Sequence, residues 1–361
     1  MSVTETHCLI IGAGVIGAAT FSRLQRSGVN CLLIDRGRGG GGATGWSGAV
    51  IRVSHRDQAS CEQAAFGRRT FLDFVQRIRA PSLFSQCGYL HVDVASQLEK
   101  TMERLDDLSV AYQFWDRSEL RKRFPELAIN ADGAIWEPES GYMDPGPTTA
   151  ALIDVGLESG GAFWEGVAFE GLDAKPANAF GEGRAFFVRT SVGVVRARAI
   201  VFAAGPQTPD LLDKIGAPAS SLYAQIVQVS LFVNARPLEN APAITDETRT
   251  VNLRHCPRRK GLYVGLPTGE RCFGDETSSL ASISHQAKTM AAGVDLIGWL
   301  RGASMHGALR HADCYARGRP EGVVDAAPGA PPGIFLASGF SGGGFKMAPF
   351  AAERMAELID G

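Results

Sequence analysis

The stretch HCLIIGAGVIGAATFSRLQRSGVNCLLIDR, residues 7–36, decides how the N-terminal part of this chain folds. His7–Ile11 is a short apolar run, which is typical of a buried parallel strand. A glycine-rich turn follows it, then a helical pattern over Ala18–Arg26, and Asn30–Ile34 resumes an apolar strand. The order strand, turn, helix and strand predicts a βαβ unit of a Rossmann-like fold.

Each glycine of the turn has a physical reason to be there. Gly12 makes the tight turn, Gly14 lets the backbone approach a pyrophosphate, and Gly17 lets the helix pack closely on the sheet. Val15 and Ile16, between these glycines, are further candidate contacts to the cofactor, and the helix that follows offers unpaired N–H groups and a positive dipole end to the phosphates. The turn therefore predicts a phosphate-binding site.

A carboxylate and a second polar loop extend this prediction. Asp35 stands about 20 residues after the turn, where an acid accepts hydrogen bonds from ribose hydroxyls, and Arg36 follows it. Thr44 and Ser47 lie among glycines just beyond, which is typical of a loop against further phosphate and ribityl oxygens. The motif alone does not separate NAD from FAD, but an extended FAD needs the second loop and NAD dehydrogenases rarely do.

Composition limits the function classes. The 361 residues suggest about two domains, and the net charge of -2 offers no field that would attract nucleic acid or an acidic membrane. The seven cysteines are scattered without a Cys-x-x-Cys pair, which excludes a zinc ribbon and indicates a reducing compartment. No apolar run reaches the roughly 18 residues of a membrane span. We predict a cytoplasmic protein without a metal, and a solvated loop at the basic run Arg254–Lys260.

Four segments carry a resemblance to a known family. They are the fingerprint with its Thr44–Arg52 loop, Ile200–Leu212 (IVFAAGPQTPDLL), Gly261–Pro267 (GLYVGLP) and Ala337–Pro349 (ASGFSGGGFKMAP). In these segments the sequence resembles the D-amino-acid oxidase-like flavoproteins, which include glycine oxidase and monomeric sarcosine oxidase. The last segment also has a physical reading of its own. An apolar strand, Ile334–Ala337, enters a glycine turn before a helix, and bare amides at a helix N-terminus stabilise negative charge on a reduced flavin.

The resemblance implies FAD as the cofactor and an α/β fold with an α+β second domain. The Rossmann-like FAD-binding domain would comprise residues 1–80, 140–215 and 300–361, interleaved with a mixed-sheet substrate domain of residues 81–139 and 216–299. Beside the fingerprint residues, the resemblance implies further contacts to FAD at Val167, Ala204, Gly205, Cys314, Gly342, Gly343, Gly344, Phe345 and Lys346.

Three cations match carboxylate-binding positions of that family. Lys346 corresponds to the lysine that pairs with the substrate carboxylate, and Arg52 follows the flavin loop where an arginine has the same role. Arg319 with its following proline resembles the carboxylate anchor of glycine oxidase-like members. Three cations are too many for one small anion, so either one of them is structural or the substrate carries two acidic groups.

Two cysteines and three aromatic or imidazole residues complete the candidates. Cys314 lies where sarcosine oxidases carry the cysteine linked covalently to flavin, and a buried unreactive thiol is the alternative. Cys272 occupies the place of the lysine that promotes the reaction with O2, which leaves both an oxidase and a dehydrogenase open. Tyr263, Tyr223 and His255 are candidate pocket residues, against the alternative that they only pack.

The function implied by the resemblance is oxidation of the C–N bond of an amino acid or N-substituted amino acid. Hydride would pass to flavin N5, the imine would hydrolyse, and O2 or another acceptor would reoxidise the flavin. One alternative is a flavin-carrying subunit that works only with a partner subunit in an amine oxidase or dehydrogenase. Another is a flavoprotein hydroxylase or cofactor-maturation enzyme, against which the absence of a second GxGxxG after a strand counts.

Overall fold

The computed structural model describes residues 3–128, 130–173, 185–219, 221–233, 241–256, 260–272 and 281–360. Within these residues the strands in chain order are β1 (Thr4–Ile11), β2 (Cys31–Asp35), β3 (Val50–Ile51), β4 (Phe84–Ser85), β5 (Tyr89–Asp93), β6 (Gln113–Asp116), β7 (Gly133–Glu137), β8 (Gly141–Met143), β9 (Ala162–Glu165), β10 (Phe169–Leu172), β11 (Phe186–Thr190), β12 (Gly193–Phe202), β13 (Leu222–Val233), β14 (Ala243–Asp246), β15 (Val251–Cys256), β16 (Gly261–Cys272), β17 (Ser304–Ala316), β18 (Val323–Ala326) and β19 (Ile334–Ser338). The α-helices of the same residues are α1 (Val15–Arg26), α2 (Gln58–Arg77), α3 (Ala95–Asp107), α4 (Arg117–Arg123), α5 (Pro145–Glu158), α6 (Thr208–Asp213), α7 (Ile283–Leu296) and α8 (Gly344–Asp360).

The first sheet is built around β1. Strands β2 and β12 pair with β1 in parallel on its two sides, and β9 extends the sheet beyond β2. Strand β12 changes partner along its length, since residues 193–197 pair antiparallel with β11 and residues 200–202 pair in parallel with β19. Strands β10 and β18 add to β11 and β19. Segments far apart in sequence therefore meet in one sheet, with the carboxyl ends of β1, β2 and β12 at the same edge.

Helices cover this sheet because the strands are apolar on both faces. In β1 the last four residues are all buried, as expected for a parallel strand between two helical or loop layers. Helix α1 lies against α5 and α8 on one face, and its Phe21 is fully buried. The Phe21 ring fills a notch left by two glycines, since a Cβ at Gly156 or Gly161 would lie 2.3 or 2.5 Å from the ring.

The second sheet is mixed, in the order β17-β13-β16-β15-β14-β5-β7-β6. Strands β14 and β5 run in parallel, and the other neighbouring strands of this sheet are antiparallel. One face packs in an apolar core whose buried residues include Leu90, Ile244, Leu253, Leu262 and Val264. Because strand side chains alternate between faces, the residues next to these point to the opposite face. That face carries the polar side chains that form the candidate site.

A small third sheet of β3, β8 and β4 fixes the chain near Arg52. Strand β8 pairs antiparallel with β3 and with β4, so that the chain just before Arg52 is fixed by hydrogen bonds to Gly141 and Tyr142. Helix α2 follows this region and lies against the start of α8. At Gly67 the two helices touch, since a Cβ there would lie 1.8 Å from the carbonyl oxygen of Lys346.

The predicted α/β fold with a second, mixed sheet is confirmed. Helix α1 begins at Val15 and not at Ala18, because extended Gly14 serves as its N-cap. The residue bounds of the two predicted domains stay a prediction. Strand β17 pairs in the second sheet, although its residues lie in the stretch 300–361 that was predicted to belong with the first. No helix of the described residues is long and apolar enough to cross a membrane.

Candidate active site

The turn between β1 and α1 requires glycine at two positions. Gly12 has a φ of +106°, and a Cβ there would lie 2.5 Å from the carbonyl oxygen of Ala203. A Cβ at Gly17 would lie 1.8 Å from the carbonyl oxygen of Gly12. The glycines thus bring the helix start, the β1 turn and the end of β12 within contact distance, as a phosphate-binding turn needs.

Two side chains hold the edges of this turn. The carboxylate of Asp35 accepts hydrogen bonds from the backbone N–H of Ala13 at 2.7 Å and of Gly37 at 2.7 Å. The Thr44 hydroxyl oxygen accepts from the N–H of Val15 at 2.9 Å. Asp35 and Thr44 therefore fix the backbone around the helix N-terminus as well as lining it.

A cavity of about 1230 Å³ runs from this turn to the polar face of the second sheet. Most of the predicted site residues line it: Gly12, Gly14, Val15, Ile16, Asp35, Arg36, Thr44, Ser47, Arg52, Val167, Ala204, Gly205, Tyr263, Cys314, Gly342, Gly343, Gly344, Phe345 and Lys346. Gly17 lies behind the turn, where it packs on Gly12. The structure thus brings the N-terminal fingerprint and the C-terminal glycine turn to one cavity, while the role of each residue stays a prediction.

At the far end of the cavity, Arg52 and Lys346 lie close enough to interact electrostatically. Lys346 is in the first turn of α8 and is only 5% exposed. Burial and, next, the charge of Arg52 lower the pKa of the Lys346 ammonium to about 7, while Asp313 and Glu137 act in the opposite direction. Two neighbouring cations inside a cavity form a site that favours an anion.

The position of Arg52 is set by Glu137, a fully buried carboxylate in β7. Glu137 accepts hydrogen bonds from the backbone N–H groups of Val53 and Ser54, both at 2.8 Å, and from the Ser140 hydroxyl at 2.6 Å. Arg68 provides a buried counter-charge 3.7 Å away. Glu137 could not be identified from the sequence, because Val53 and Ser54 precede it by 84 and 83 residues in the chain.

Arg52 itself donates a hydrogen bond to the carbonyl oxygen of Ser54, and its guanidinium lies 5.1 Å from the centre of the Tyr89 ring. Two histidines are nearby, His91, which is buried, and His55, which is half-buried. Burial lowers the pKa of His55 well below its ordinary value, and the charges of Arg52 and Lys346 act in the same direction. Burial, with Arg52 next, lowers the pKa of His91 to about 3. Both imidazoles are therefore neutral at physiological pH, and neither was identified from the sequence.

Cys314 and Asp313 are neighbours in β17 at the cavity wall. Burial raises the pKa of the Cys314 thiol to about 12. Burial also raises the pKa of the Asp313 carboxyl, against the opposing effects of His311 and Lys346. The environment of Cys314 thus favours a neutral thiol.

Two predicted catalytic residues do not line the cavity. Arg319 follows β17 in an exposed turn, where its side chain is 49% exposed and donates to Glu321 at 3.1 Å. Cys272 ends β16 and is buried in a small apolar cluster with Ala224, Ile226 and Ala312. Cys272 is the last residue of β16, and Arg319 lies in the turn after β17. The sequence pattern around each residue does not reveal that these strand ends lie outside the cavity.

The other two candidate pocket residues, Tyr223 and His255, do not line the large cavity. Tyr223 stacks on Tyr315 with ring centres 5.5 Å apart, and His255 lines a separate cavity. The basic run Arg254–Lys260 was predicted to be a solvated loop, and for residues 254–256 this is wrong, because they belong to strand β15. Arg254 lies in β15 and lines the large cavity, because the alternation of Val251, Leu253 and their neighbours continues the strand. Residues 257–259 lie outside the described residues.

The comparisons with known proteins agree with this geometry. A family model described as FAD dependent oxidoreductase matches residues 7–358. The chain belongs to the FAD-dependent oxidoreductase family. The FAD-dependent oxidoreductase that the sequence predicted is confirmed.

Individual relatives of this oxidoreductase are distant. It is 24% identical to 4-methylaminobutanoate oxidase (formaldehyde-forming) of Paenarthrobacter nicotinovorans, over 99% of this chain and 44% of that protein. It is 22% identical to glycine oxidase of Bacillus subtilis (strain 168), over 98% of this chain and 92% of that protein. The crystal structure of glycine oxidase from Geobacillus kaustophilus has a TM-score of 0.84 at 16% identity, over 99% of this chain and 95% of that one. This structural likeness shows a shared fold. The chain spans less than half the length of the 4-methylaminobutanoate oxidase.

The residues of the cavity fit the FAD that the family implies. The Ala203 carbonyl leaves no room for a side chain at Gly12. The turn around Gly12 therefore presents backbone N–H groups, which can bind a pyrophosphate. Asp35 is partly exposed at the end of β2, where it can accept from ribose hydroxyls. The start of α8 at Gly344 directs its N-terminal amides to the same cavity. FAD would therefore lie between the turn after β1 and the start of α8.

Proposed function

We propose that this protein oxidises the C–N bond of an amino acid or an N-substituted amino acid to an imine, which water then hydrolyses. The observation that supports the proposal is the pair Arg52 and Lys346, two cations in the cavity beyond the dinucleotide turn. When FAD is bound, it serves as the acceptor of the hydride from the carbon next to the nitrogen.

The two cations would bind and orient the substrate carboxylate. The planar guanidinium of Arg52 can donate two parallel hydrogen bonds to a carboxylate, while the ammonium of Lys346 acts as a point charge. Glu137 holds the backbone that follows Arg52, and Tyr89 limits the movement of its guanidinium. Fixed positions of this kind restrict the substrate to one orientation, in which its α-carbon meets the same point each time.

The surroundings also favour a neutral substrate amine. His55 and His91 have lowered pKa values because burial and neighbouring cations disfavour positive charge. The same field acts on an ammonium group brought into the cavity. A substrate that binds through its carboxylate would therefore lose its ammonium proton more readily, and the free amine is the form from which hydride transfer proceeds.

We further propose that FAD is held without a covalent bond to Cys314. The thiolate is the nucleophilic form of cysteine, and burial raises the pKa of this thiol to about 12. Precipitation of the holoprotein with acid tests this, since a colourless pellet with yellow supernatant is expected. A yellow pellet would show that the flavin is covalently attached.

The test of the function is anaerobic mixing of the holoprotein with amino acids and N-methyl amino acids while the visible flavin spectrum is recorded. Bleaching by at least one of them is expected. Arg52→Gln and Lys346→Met should each lower kcat/KM roughly tenfold to hundredfold, the value of a charge-assisted hydrogen bond. Arg56→Gln is the matched control, because Arg56 pairs with Asp93 at 3.0 Å and does not line the cavity.

Three results would argue against this proposal. A flavin that no amine bleaches would favour the partner-dependent subunit, and bleaching only by NAD(P)H would favour the hydroxylase or maturation enzyme. Equal losses in Arg52→Gln and Arg56→Gln would remove the carboxylate-binding role of Arg52. Admission of air after bleaching distinguishes the acceptors, since rapid return of colour indicates an oxidase and slow return a dehydrogenase.

A further inference from the structure

Arg254 is a third cation at the end of the cavity that contains Arg52 and Lys346. It lies in β15, directly opposite Tyr263 of the neighbouring strand β16. Its guanidinium lies 5.2 Å from the centre of the Tyr263 ring and 4.4 Å from that of Tyr142. Two aromatic rings thus hold the guanidinium plane, and stacking of this kind leaves the N–H donors at its rim available.

Those donors lack an acidic partner among the described residues. The buried Nε of Arg254 has no hydrogen-bond partner there, and no carboxylate of those residues pairs with the guanidinium. Buried polar groups are nearly always hydrogen-bonded in native proteins, and an unsatisfied one calls for an explanation. A bound ligand would supply the missing acceptor.

Nearby acids are engaged elsewhere. Two acids of the described residues line this end of the cavity, Glu247 and Asp313. Glu247 lies 3.8 Å from Arg56, and the Asp313 carboxylate accepts a hydrogen bond from the N–H of Cys314 at 2.8 Å. One substrate carboxylate can serve Arg52 and Lys346 together, which leaves Arg254 without an anion.

Sheet register relates the position of Arg254 to that of Tyr89, whose ring lies beside the Arg52 guanidinium. Tyr89, whose ring lies under Arg52, is in β5, and β14 is the one strand between β5 and β15 in the sheet. Tyr89 pairs with Ala243, and continuation of the β14–β15 register places Arg254 opposite that same residue. Adjacent strands lie about 4.8 Å apart, so Tyr89 and Arg254 are on the order of 10 Å apart in one row. This spacing suits two acidic groups separated by a few bonds.

We infer that Arg254 binds a second acidic group, and that the substrate is an amino acid or N-substituted amino acid with two acidic groups. This inference rests on the proposed function, in which Arg52 and Lys346 bind the first carboxylate. Arg319, the other cation considered from the sequence, does not line the cavity.

The experiment compares diacids with their uncharged amides. Anaerobic flavin reduction is measured with D- and L-glutamate against the glutamines, and with N-(carboxymethyl)glycine against N-(carbamoylmethyl)glycine. In wild type at least one diacid should exceed its amide in kcat/KM by about tenfold or more. Arg254→Gln should remove this preference, so that the kcat/KM of each diacid approaches that of its own amide in the same variant.

Two further variants keep the result interpretable. Arg254→Lys retains the charge without the planar fork, so it should lower the preference without removing it, even if Arg254→Gln does not fold. Arg77→Gln is the matched control, because Arg77 also stacks on a ring, that of Phe74 at 5.7 Å, but does not line the cavity. Its diacid preference should equal that of wild type.

The two proposals fail in different ways. If amines bleach the flavin but each diacid and its amide react equally well, the inference is overturned and the proposed function stands. If no amine bleaches the flavin, the proposed function fails, and calorimetric titration with glutarate and glutaramate then tests the anion site. Glutarate should bind wild type about tenfold more tightly than glutaramate, and Arg254→Gln should lose the difference. Equal binding to wild type would overturn the second anion site.

Discussion

The two ends of the cavity are built in different ways. At the dinucleotide end, backbone geometry does most of the binding, and the glycine turn and its acid lie within one βαβ unit from Thr4 to Asp35. At the substrate end, side chains provide the chemistry, and they come from the segment after β3 and from β5, β7, β15, β16, β17 and α8.

The difference shows where charge is carried. The dinucleotide end uses the partial charges of helix N–H groups, which need no counter-ion. The substrate end contains buried ionic groups, and the buried Glu137 carboxylate is needed to hold the loop of Arg52. A buried charge is costly to leave unpaired, so the substrate end should be the more sensitive to single charge changes and to pH.

The largest effect is expected at the dinucleotide end. Gly17→Ala places a methyl group 1.8 Å from the Gly12 carbonyl oxygen, so α1 must move away from the turn. We expect protein that retains no flavin, measured as the ratio of visible to ultraviolet absorbance after purification. In Gly146→Ala the new Cβ meets nothing within 4 Å, and this control should keep its flavin. Full flavin retention in Gly17→Ala would contradict the close packing.

The next largest effect is expected at Glu137. Glu137→Gln removes the buried partner of Arg68 and one acceptor of the backbone after Arg52, and should lower the free energy of unfolding by about 3 kcal/mol. The matched control is Glu139→Gln, which also removes a partner of Arg68, at 3.1 Å, but from a side chain that is 54% exposed. It should cost less than about 1 kcal/mol. Equal losses in denaturant titrations would show that burial of Glu137 is not decisive.

A smaller effect, dependent on pH, is expected at Lys346. Its pKa is lowered to about 7, so the ammonium is charged below that pH and neutral above it. Binding of propanoate, which has no amine, should therefore weaken up to tenfold per pH unit as pH rises above about 7. His91, with a pKa of about 3, and His55, whose pKa is also lowered, do not titrate in this range.

Calorimetric titration between about pH 6 and 9 measures this dependence. Lys346→Arg should bind propanoate with little change over the range, because arginine stays charged. Lys346→Met should bind weakly at every pH. A wild-type dissociation constant that is constant over the range would refute the assignment of the titration to Lys346.

The smallest effect is expected at Arg319. Its side chain is half exposed and pairs with Glu321, so Arg319→Gln should change kcat/KM less than about twofold. Steady-state kinetics with the best amine substrate measure this. A loss as large as that of Arg52→Gln would restore Arg319 as a carboxylate anchor.

The dinucleotide end could be predicted from the sequence because its causes are local. Glycines that exclude a Cβ, a strand that ends in Asp35 and a helix that follows are all read within one stretch. The hydroxyl of Thr44, which accepts from Val15, lies only 29 residues away from it. The α/β class and the family followed from these elements and from the glycine turn before α8.

The substrate end could be predicted only where a family motif marks it. Arg52 and Lys346 were identified in this way, whereas Glu137, His55, His91 and Arg254 were not. These four residues owe their role to burial and to cross-strand register, neither of which a single sequence displays. Arg254 could have been found from the alternation in Val251–Cys256, where apolar and polar residues take opposite faces.

The change of partner along β12 has a consequence for biosynthesis. The parallel neighbour of residues 200–202 is β19, and every strand of the second sheet is translated between β1 and β19. A ribosome must therefore release the glycine turn and the first turns of α8 before the dinucleotide groove has both of its walls. Closure of the dinucleotide groove therefore waits for translation of the strands of the second sheet, which lie between its two walls in the chain.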